Sequence, residues 1–133
     1  DWVINTVQKF IVGKKSAKLG IGLLVSLADI AVANNTVAII ITGGISKKIS
    51  ENNKVDLRES AAFLDIFSCV FQGMIPYGAQ MLILLGFAGD KVSPTQLIPL
   101  LWYQLLLAVF TIIYIAFPQI SNKTLSFIDK NKK

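Results

Sequence analysis

The residues best suited to chemistry in this chain are a carboxylate and two amides within otherwise apolar sequence. Asp29 is followed by Asn34, Asn35 and Thr36, and apolar runs flank this group on both sides. A central Asp in a membrane helix costs about 2.5–3.5 kcal/mol on insertion scales, so such groups usually mark an ion or substrate pathway. Hard cations prefer the oxygen ligands that these side chains supply. The four residues are therefore candidates for a sodium site; the alternative is hydrogen bonding between packed helices.

A second group of polar side chains is predicted to couple proton and ion movement. Ser68 lies one helical turn after Asp65, which indicates a shared helix face. A desolvated carboxylate can alternate between a proton and a metal cation, which is the simplest basis for coupled antiport. Tyr77 and Gln80 flank Pro76 and are expected to face the same cavity as the first group. The alternatives are an interfacial Asp65 that reaches headgroup water and an ordinary proline kink.

The composition favours an integral membrane protein with one membrane domain. Of the 133 residues, 53% are hydrophobic and 16% are charged, and the charges cluster at the ends and in one loop. A soluble domain spreads charge along one face of each helix. Three long runs carry almost no charge and are each long enough for a membrane span, namely residues 19–45, 61–89 and 95–117. We expect an all-α, multi-pass protein of the cell membrane.

The elements that must position the polar groups are predicted from helix breakers. The adjacent amides are poor helix formers, so a break is expected there. The first run is therefore predicted to be a re-entrant hairpin over 19–45, with its tip at the amides and with two half-length arms. A single tilted helix is the alternative. Pro76 removes a backbone donor, which predicts a broken transmembrane helix over 60–89. A conventional final transmembrane helix is expected over 95–117.

The segments outside these runs carry most of the charge. Residues 1–18 are predicted to be an amphipathic lead, 46–59 an exposed loop and 119–133 a basic, mobile tail, around a membrane domain of residues 19–118. The basic clusters agree in sidedness only if the first run leaves and returns to the same face. The formal charge of +5 does not indicate a nucleic-acid partner, because the lysines border apolar runs.

Enzymatic functions are disfavoured by the residues that the sequence lacks. The chain has one cysteine and no histidine, which leaves no intrachain disulfide and removes the usual transition-metal ligand. It has no phosphate-binding glycine loop and no nucleophile–base pair. We therefore expect no enzyme activity and no cofactor, with sodium ions and protons as the transported species.

Three stretches of the sequence together resemble a known family. They are ANNTVAI at 33–39, LDIFSC at 64–69 and QGMIPYGAQ at 72–80. They are similar to the C-terminal portion of NhaC-type sodium/proton antiporters, and the resemblance covers roughly residues 19–117. It implies membership of an ion-transporter superfamily built from inverted repeats, each with a re-entrant hairpin and an unwound helix. The chain then resembles the end of the second repeat.

The resemblance also implies a site and a set of partners. In related carboxylate transporters a Ser-Asn-Thr motif at the hairpin tip contributes to the sodium site, and Asn34-Asn35-Thr36 differs from it by Asn in place of Ser. A full transporter needs the first repeat, so we expect a fragment, a truncated gene product or a piece of a split protein. Its partners would be the lipid bilayer and the missing N-terminal half or a second subunit.

The function expected from these features is secondary antiport of sodium against protons. One alternative is a sodium- or proton-coupled exchanger of small organic acids, of the malate or lactate type, or of amino acids, because the same architecture serves carboxylates. A second alternative is a membrane subunit that does not transport and packs against a partner.

Overall fold

The computed structural model describes residues 13–89 and 92–130, and all regular structure in that part of the chain is helical. The α-helices in chain order are α1 Lys14–Val32, α2 Asn35–Asn52, α3 Leu57–Met74, α4 Ala79–Ala88, α5 Pro94–Leu97, α6 Trp102–Ala116 and α7 Pro118–Lys130. A 3-10 turn, Ile98–Leu100, follows α5. The expected all-α fold is confirmed.

The first three helices form a bundle in which α1 and α2 are an antiparallel hairpin. Lys18 near the start of α1 pairs with Glu59 near the start of α3, with 2.8 Å between Nζ and Oε2. At the opposite end, the Gln72 side-chain amide donates to the Ala33 carbonyl at 3.0 Å. Therefore α1 and α3 are parallel, and the short connection from α2 to α3 makes α2 antiparallel to both. The apolar core between these helices and α6 comprises Ala17, Ile21, Val25, Ala38, Ile49, Val55, Phe63, Leu64 and Ile115.

The chain reverses direction at two residues between α1 and α2. Ala33 has left-handed backbone with φ of 52°, and its amide donates to the Asp29 carbonyl, which ends α1. Asn34 is extended, and its side-chain oxygen accepts from the Val37 amide at 3.1 Å, which starts α2. An Asn at this position satisfies a helix donor that has no intrahelical partner. The break lies next to Asn34 and Asn35, where the sequence predicts the hairpin tip.

The arms of the hairpin are longer than the sequence predicts. α1 has 19 residues and α2 has 18. At 1.5 Å per residue each arm is about 27–29 Å long, close to the full hydrocarbon thickness of a bilayer and not half of it. The predicted range of 19–45 was too short at both ends, because residues 14–18 and 46–52 contain no Gly or Pro that would stop the helices.

The segment 46–59 is not the exposed loop that its charges predict. α2 continues to Asn52, and only residues 53–56 connect it to α3. Five residues of the segment are buried, namely Ser46, Ile49, Ser50, Val55 and Glu59. Composition averages the two faces of a helix, so it did not distinguish this half-buried helix end from a loop.

The second apolar run is interrupted next to its proline. α3 ends at Met74 and α4 begins at Ala79. The Gly78 amide donates to the Ile75 carbonyl at 3.0 Å, and a Cβ at Gly78 would lie 3.2 Å from two backbone oxygens, so the turn favours glycine. Taken together, the stretch Leu57–Ala88 is long and apolar enough to cross a membrane.

The third apolar run is divided by a bend and is not a conventional straight helix. The axes of Pro94–Leu100 and α6 differ by 57°. The bend follows Pro99, which lacks the amide that would bind the carbonyl four residues earlier. This pair meets the length and apolarity criterion for a membrane span only when it is counted as one unit. Within the described residues, one helical stretch or at most two meet that criterion, fewer than the three runs predicted.

The ends of the predicted domain scheme also differ from the structure. Residues 14–18, which were predicted to belong to the amphipathic lead, are the start of α1, and residues 1–12 lie outside the described residues. The basic tail is helical as far as Lys130. Pro118 is the first residue of α7, a position where its missing amide is not needed, so it starts a helix there.

The bundle buries nearly as many polar side chains as apolar ones and leaves large apolar side chains exposed. Among the described residues, 11 polar or charged and 12 apolar residues are buried, while 24 large apolar residues are exposed. On α1, Leu19, Leu23 and Leu27 form an exposed row with the spacing of one helix face. Soluble monomers rarely expose contiguous apolar surface on this scale. The outer surface therefore favours contact with lipid or with another protein surface.

Candidate functional site

Asp29 is the most deeply buried acidic residue in the described part of the chain. Its exposed fraction is 0%, and neither carboxylate oxygen has a hydrogen-bond partner among the described residues. An ionised carboxylate that is buried without a partner is very costly. This side chain therefore needs either a proton or a cation.

The interior of the three-helix bundle contains several side-chain oxygen atoms that can act only as hydrogen-bond acceptors. The Ser26 hydroxyl donates to the Gly22 carbonyl at 2.7 Å, and the Thr42 hydroxyl donates to the Ala38 carbonyl at 2.7 Å. A hydroxyl has one donor and two acceptor lone pairs. Because each hydroxyl donates its hydrogen to a carbonyl of its own helix, its oxygen lone pairs remain available to accept a hydrogen bond or bind a cation.

Two side chains of α3 add further acceptors to this interior. The buried Ser68 hydroxyl donates to the Asp65 carbonyl at 3.0 Å. Gln72 uses its side-chain N–H on the Ala33 carbonyl, and its Oε1 is buried without a partner among the described residues. We call Ser26, Asp29, Thr42, Ser68 and Gln72 the acceptor cluster. They lie on three helices, all within about two turns of the helix breaks.

The tip residues that were predicted to bind sodium lie at the exposed end of the bundle. Asn34 and Thr36 are exposed and Asn35 is half-buried. The Asn34 side-chain oxygen caps α2, and the Thr36 hydroxyl donates to Asn35 Oδ1 at 3.4 Å. Asp29 lies one helical turn further inside, with its backbone carbonyl bound to the Ala33 amide. The structure thus separates the tip from the buried carboxylate.

Asp65 is linked to the hairpin tip through Cys69. The Asn35 side-chain amide donates to the Cys69 sulfur at 3.8 Å, and the Cys69 thiol donates to Asp65 Oδ1 at 3.9 Å. The Asp65 side chain is exposed, whereas Ser68 is buried. Residues three apart differ by about 60° around the helix axis, so the edge of the buried face lies between these two neighbours.

The two residues that flank Pro76 are placed on different sides. The Tyr77 hydroxyl donates to the Ile30 carbonyl at 2.7 Å, so it reaches the end of α1. Gln80 is exposed and lines a separate cavity with Gly73 and Gln104, on the side of α6. The prediction of a shared cavity was therefore wrong for Gln80.

Tyr77 and Gln72 tie the broken helix to the open end of α1. The last carbonyls of a helix have no intrahelical partner. Here the carbonyls of Ile30 and Ala33 are bound by side chains from α3 and from the turn that follows it. The two irregular segments are thus joined directly by hydrogen bonds.

Several residues of this interior were missed from the sequence. Thr42, Ser46 and Ser50 follow one another at four-residue intervals, which places them on one face of α2. All three are buried, and the Ser46 hydroxyl has no partner among the described residues. Gln72 is an amide close to a helix end, the same signal that selected Asn34. Both signals were present in the sequence.

A second polar cluster lies at the opposite end of the bundle and was not predicted. Glu59 binds Lys18 at 2.8 Å and accepts from the Tyr114 hydroxyl at 2.9 Å. Lys18 Nζ also lies 5.7 Å from the ring centroids of Phe63 and Tyr114. This cluster joins α1, α3 and α6. Lys18 was interpreted from the sequence as a flanking charge at the membrane border.

Two further observations concern metal ions and related proteins. Within the described residues, no group of three or more His, Cys, Asp or Glu is placed to hold a metal ion. Comparison of the chain with family models, with curated proteins and with solved structures finds no match in any of the three. The fold therefore defines an all-α protein with an acceptor-rich interior, and the resemblance to NhaC-type antiporters stays a prediction from sequence motifs.

Proposed function

We propose that this chain is part of a secondary transporter that exchanges sodium for protons across the cell membrane. The observation that carries the proposal is Asp29, which is buried with both carboxylate oxygens unpartnered among the described residues. A carboxylate in such surroundings is stabilised by a proton or by a cation, and the two compete for the same oxygens. Competition of this kind couples the movement of one ion to that of the other.

The rest of the acceptor cluster supplies the other sodium ligands in this proposal. Hydroxyl and amide oxygens suit a hard cation, and a site made of them needs no cluster of acids. The site then retains Asp29, which the sequence also selected, and takes its other ligands from the interior of the bundle and not from the hairpin tip. Asn34, Asn35 and Thr36 form its entrance, and Tyr77 links the entrance to the broken helix.

A location in the membrane is part of the same proposal. It is supported by the exposed apolar side chains of α1, α4 and α6 and by the polar interior. These faces would contact lipid or the other half of a transporter.

Sodium binding by the purified chain tests the site without requiring transport. We expect the thermal unfolding midpoint to rise when sodium chloride replaces choline chloride at constant ionic strength. A ligand that binds only the folded state stabilises it by ~2.7 kcal/mol at 100 times its Kd. Asp29→Asn should abolish the shift, whereas Glu51→Gln, which changes an exposed acid on α2, should retain it.

Two outcomes would move or remove the proposed site. If Asp29→Asn keeps the full sodium shift, Asp29 is not a ligand. If Asp65→Asn alone abolishes the shift, the site lies on the exposed face of α3.

Exchange itself is tested with the chain in proteoliposomes that contain a pH-sensitive dye. A sodium gradient should drive proton movement in wild type and not in Asp29→Asn. Sodium-driven uptake of labelled malate without proton movement would instead support an exchanger of organic acids. Sodium binding without transport of either species would support the subunit that does not transport.

A further inference from the structure

Two cavities meet at the end of the bundle where α1 and α3 begin. One has a volume of about 360 Å³ and a largely apolar lining from α3, α6 and α7, which includes Ala62, Ile66 and Phe110 together with the charged Arg58. The other has a volume of about 410 Å³ and a polar lining. Glu59 and Leu125 line both cavities. An open apolar cavity therefore adjoins an open polar one.

The polar cavity has an excess of positive charge. It is lined by Lys14, Lys18 and Lys54, with Asp56 and Glu59 as the acids. Both acids are already engaged, since Asp56 Oδ1 accepts from a backbone amide at 2.8 Å to cap α3 and Glu59 binds Lys18. Lys14 and Lys54 are exposed and take part in no ion pair among the described residues. These two side chains can neutralise an anion in the cavity.

Lys54 is held beside this cavity in a conformation that favours another residue type. Its φ is 55°, and it lies two residues after the end of α2, at a position where glycine is common. The Val55 amide donates to the Ser50 carbonyl at 2.9 Å and so fixes the turn. Glycine would relieve the backbone strain at this position, and the chain has a lysine there.

We propose that the two cavities together bind one anionic phospholipid, with an acyl chain in the apolar cavity and the phosphate group between Lys14 and Lys54. Both volumes fall within the range of about 300–1,000 Å³ that is typical of ligand sites. Basic pockets between membrane helices suit anionic headgroups. A neutral lipid lacks the net charge for the lysines, and free phosphate lacks the chain for the apolar cavity.

Native mass spectrometry of the purified full chain tests the headgroup part. With equal amounts of phosphatidylglycerol and phosphatidylcholine in detergent, we expect about tenfold preference for phosphatidylglycerol. The variant Lys14→Ala/Lys54→Ala should lose that preference. Lys47→Ala/Lys48→Ala removes the same charge from exposed positions that line neither cavity, and it should keep the preference. Thermal unfolding followed by circular dichroism verifies that each variant is folded.

A substitution that fills the apolar cavity tests whether an acyl chain binds there. Ala62→Trp should reduce lipid retention about tenfold, while Ala61→Trp, at an exposed position outside the cavity, should not. Three results would each overturn the proposal. They are equal retention of the two lipids by the wild type, equal loss of the lipid preference in both double-lysine variants, and displacement of the lipid by equimolar inorganic phosphate. The sodium-dependent shift is measured on the same variants, so failure here is distinguishable from failure of the sodium site.

Discussion

Single residues show how burial separates two acids that the sequence presents alike. Asp29 and Asp65 both interrupt apolar runs, yet Asp29 has no exposed surface and Asp65 is exposed. Water solvates the exposed carboxylate, while the buried one depends on groups inside the bundle. The chemistry of the two side chains therefore differs although their sequence surroundings are similar.

The cost of burying the Asp29 carboxylate predicts a stabilising substitution. In sodium-free buffer near neutral pH, Asp29→Asn should raise the free energy of unfolding by roughly 1–3 kcal/mol, because folding must either bury an unpaired carboxylate or protonate it, and both cost more than burying an amide. Asp65→Asn should change it by no more than about 0.5 kcal/mol. Denaturant unfolding measures both. A less stable Asp29→Asn protein would contradict the absence of a favourable partner.

The chain also offers a buried and an exposed ion pair for direct comparison. Lys18–Glu59 is 2.8 Å long with side chains 8% and 7% exposed, and Lys47–Glu51 is 3.9 Å long with side chains 65% and 54% exposed. Removing one partner of a buried pair leaves an uncompensated charge, so Lys18→Ala should cost about 3–5 kcal/mol of unfolding free energy. Lys47→Ala should cost less than ~1 kcal/mol. Denaturant unfolding checks this, and equal effects would contradict the burial of the first pair.

Between helices, the close approach of α1 to α3 depends on Gly22. A Cβ there would lie 2.7 Å from the Phe67 ring, so the ring must move to accept any side chain. Gly43 on α2 is a matched control, because no described atom lies within 4 Å of its Cβ position. Gly22 is therefore required by the packing of α1 against α3, whereas Gly43 only lowers the stability of its own helix.

These two glycines predict opposite effects of the same substitution. Gly22→Ala should lower the free energy of unfolding by about 1 kcal/mol net, because overpacking outweighs the gain in helix propensity. Gly43→Ala should raise it by about 0.5–1 kcal/mol. Thermal unfolding of both variants provides the measurement. Stabilisation by Gly22→Ala would show that Phe67 moves without cost and that the helices are less closely packed.

The whole molecule is an arrangement in which the hairpin returns to the end where it began. Lys15 at the start of α1 and Lys48 near the end of α2 are both exposed at that end, and Lys15 Nζ donates to the Ala116 carbonyl at 2.7 Å. Asn34 lies at the opposite end. The arms are each close to the thickness of the hydrocarbon layer, so the hairpin can carry its tip across much of a bilayer.

This arrangement predicts the sidedness of single cysteines in membrane vesicles. With Cys69 replaced by alanine, Lys15→Cys and Lys48→Cys should react with an impermeant maleimide from the same side. Asn34→Cys should be unreactive from that side. Reaction of the first two from opposite sides would mean that α1 and α2 cross the membrane as one helix, and the hairpin would be wrong.

The sequence by itself determined where the helices break. Asn34 caps α2 and Pro76 precedes α4, because capping and the missing proline amide act within a few residues of the chain. The all-α class follows from the same local chemistry. Pro99 was visible too, but its effect was underestimated, since the direction of the chain after a bend depends on what it packs against.

Only the tertiary structure decided which polar groups face one another. Gln72 binds the carbonyl of Ala33, 39 residues earlier, and Lys18 pairs with Glu59 on a different helix. Helical periodicity defines the faces of each helix, yet it does not determine which face meets which neighbour. The sequence therefore selected Asp29 together with the hairpin tip, and only the fold showed that Asp29 is buried while Asn34 and Thr36 are exposed.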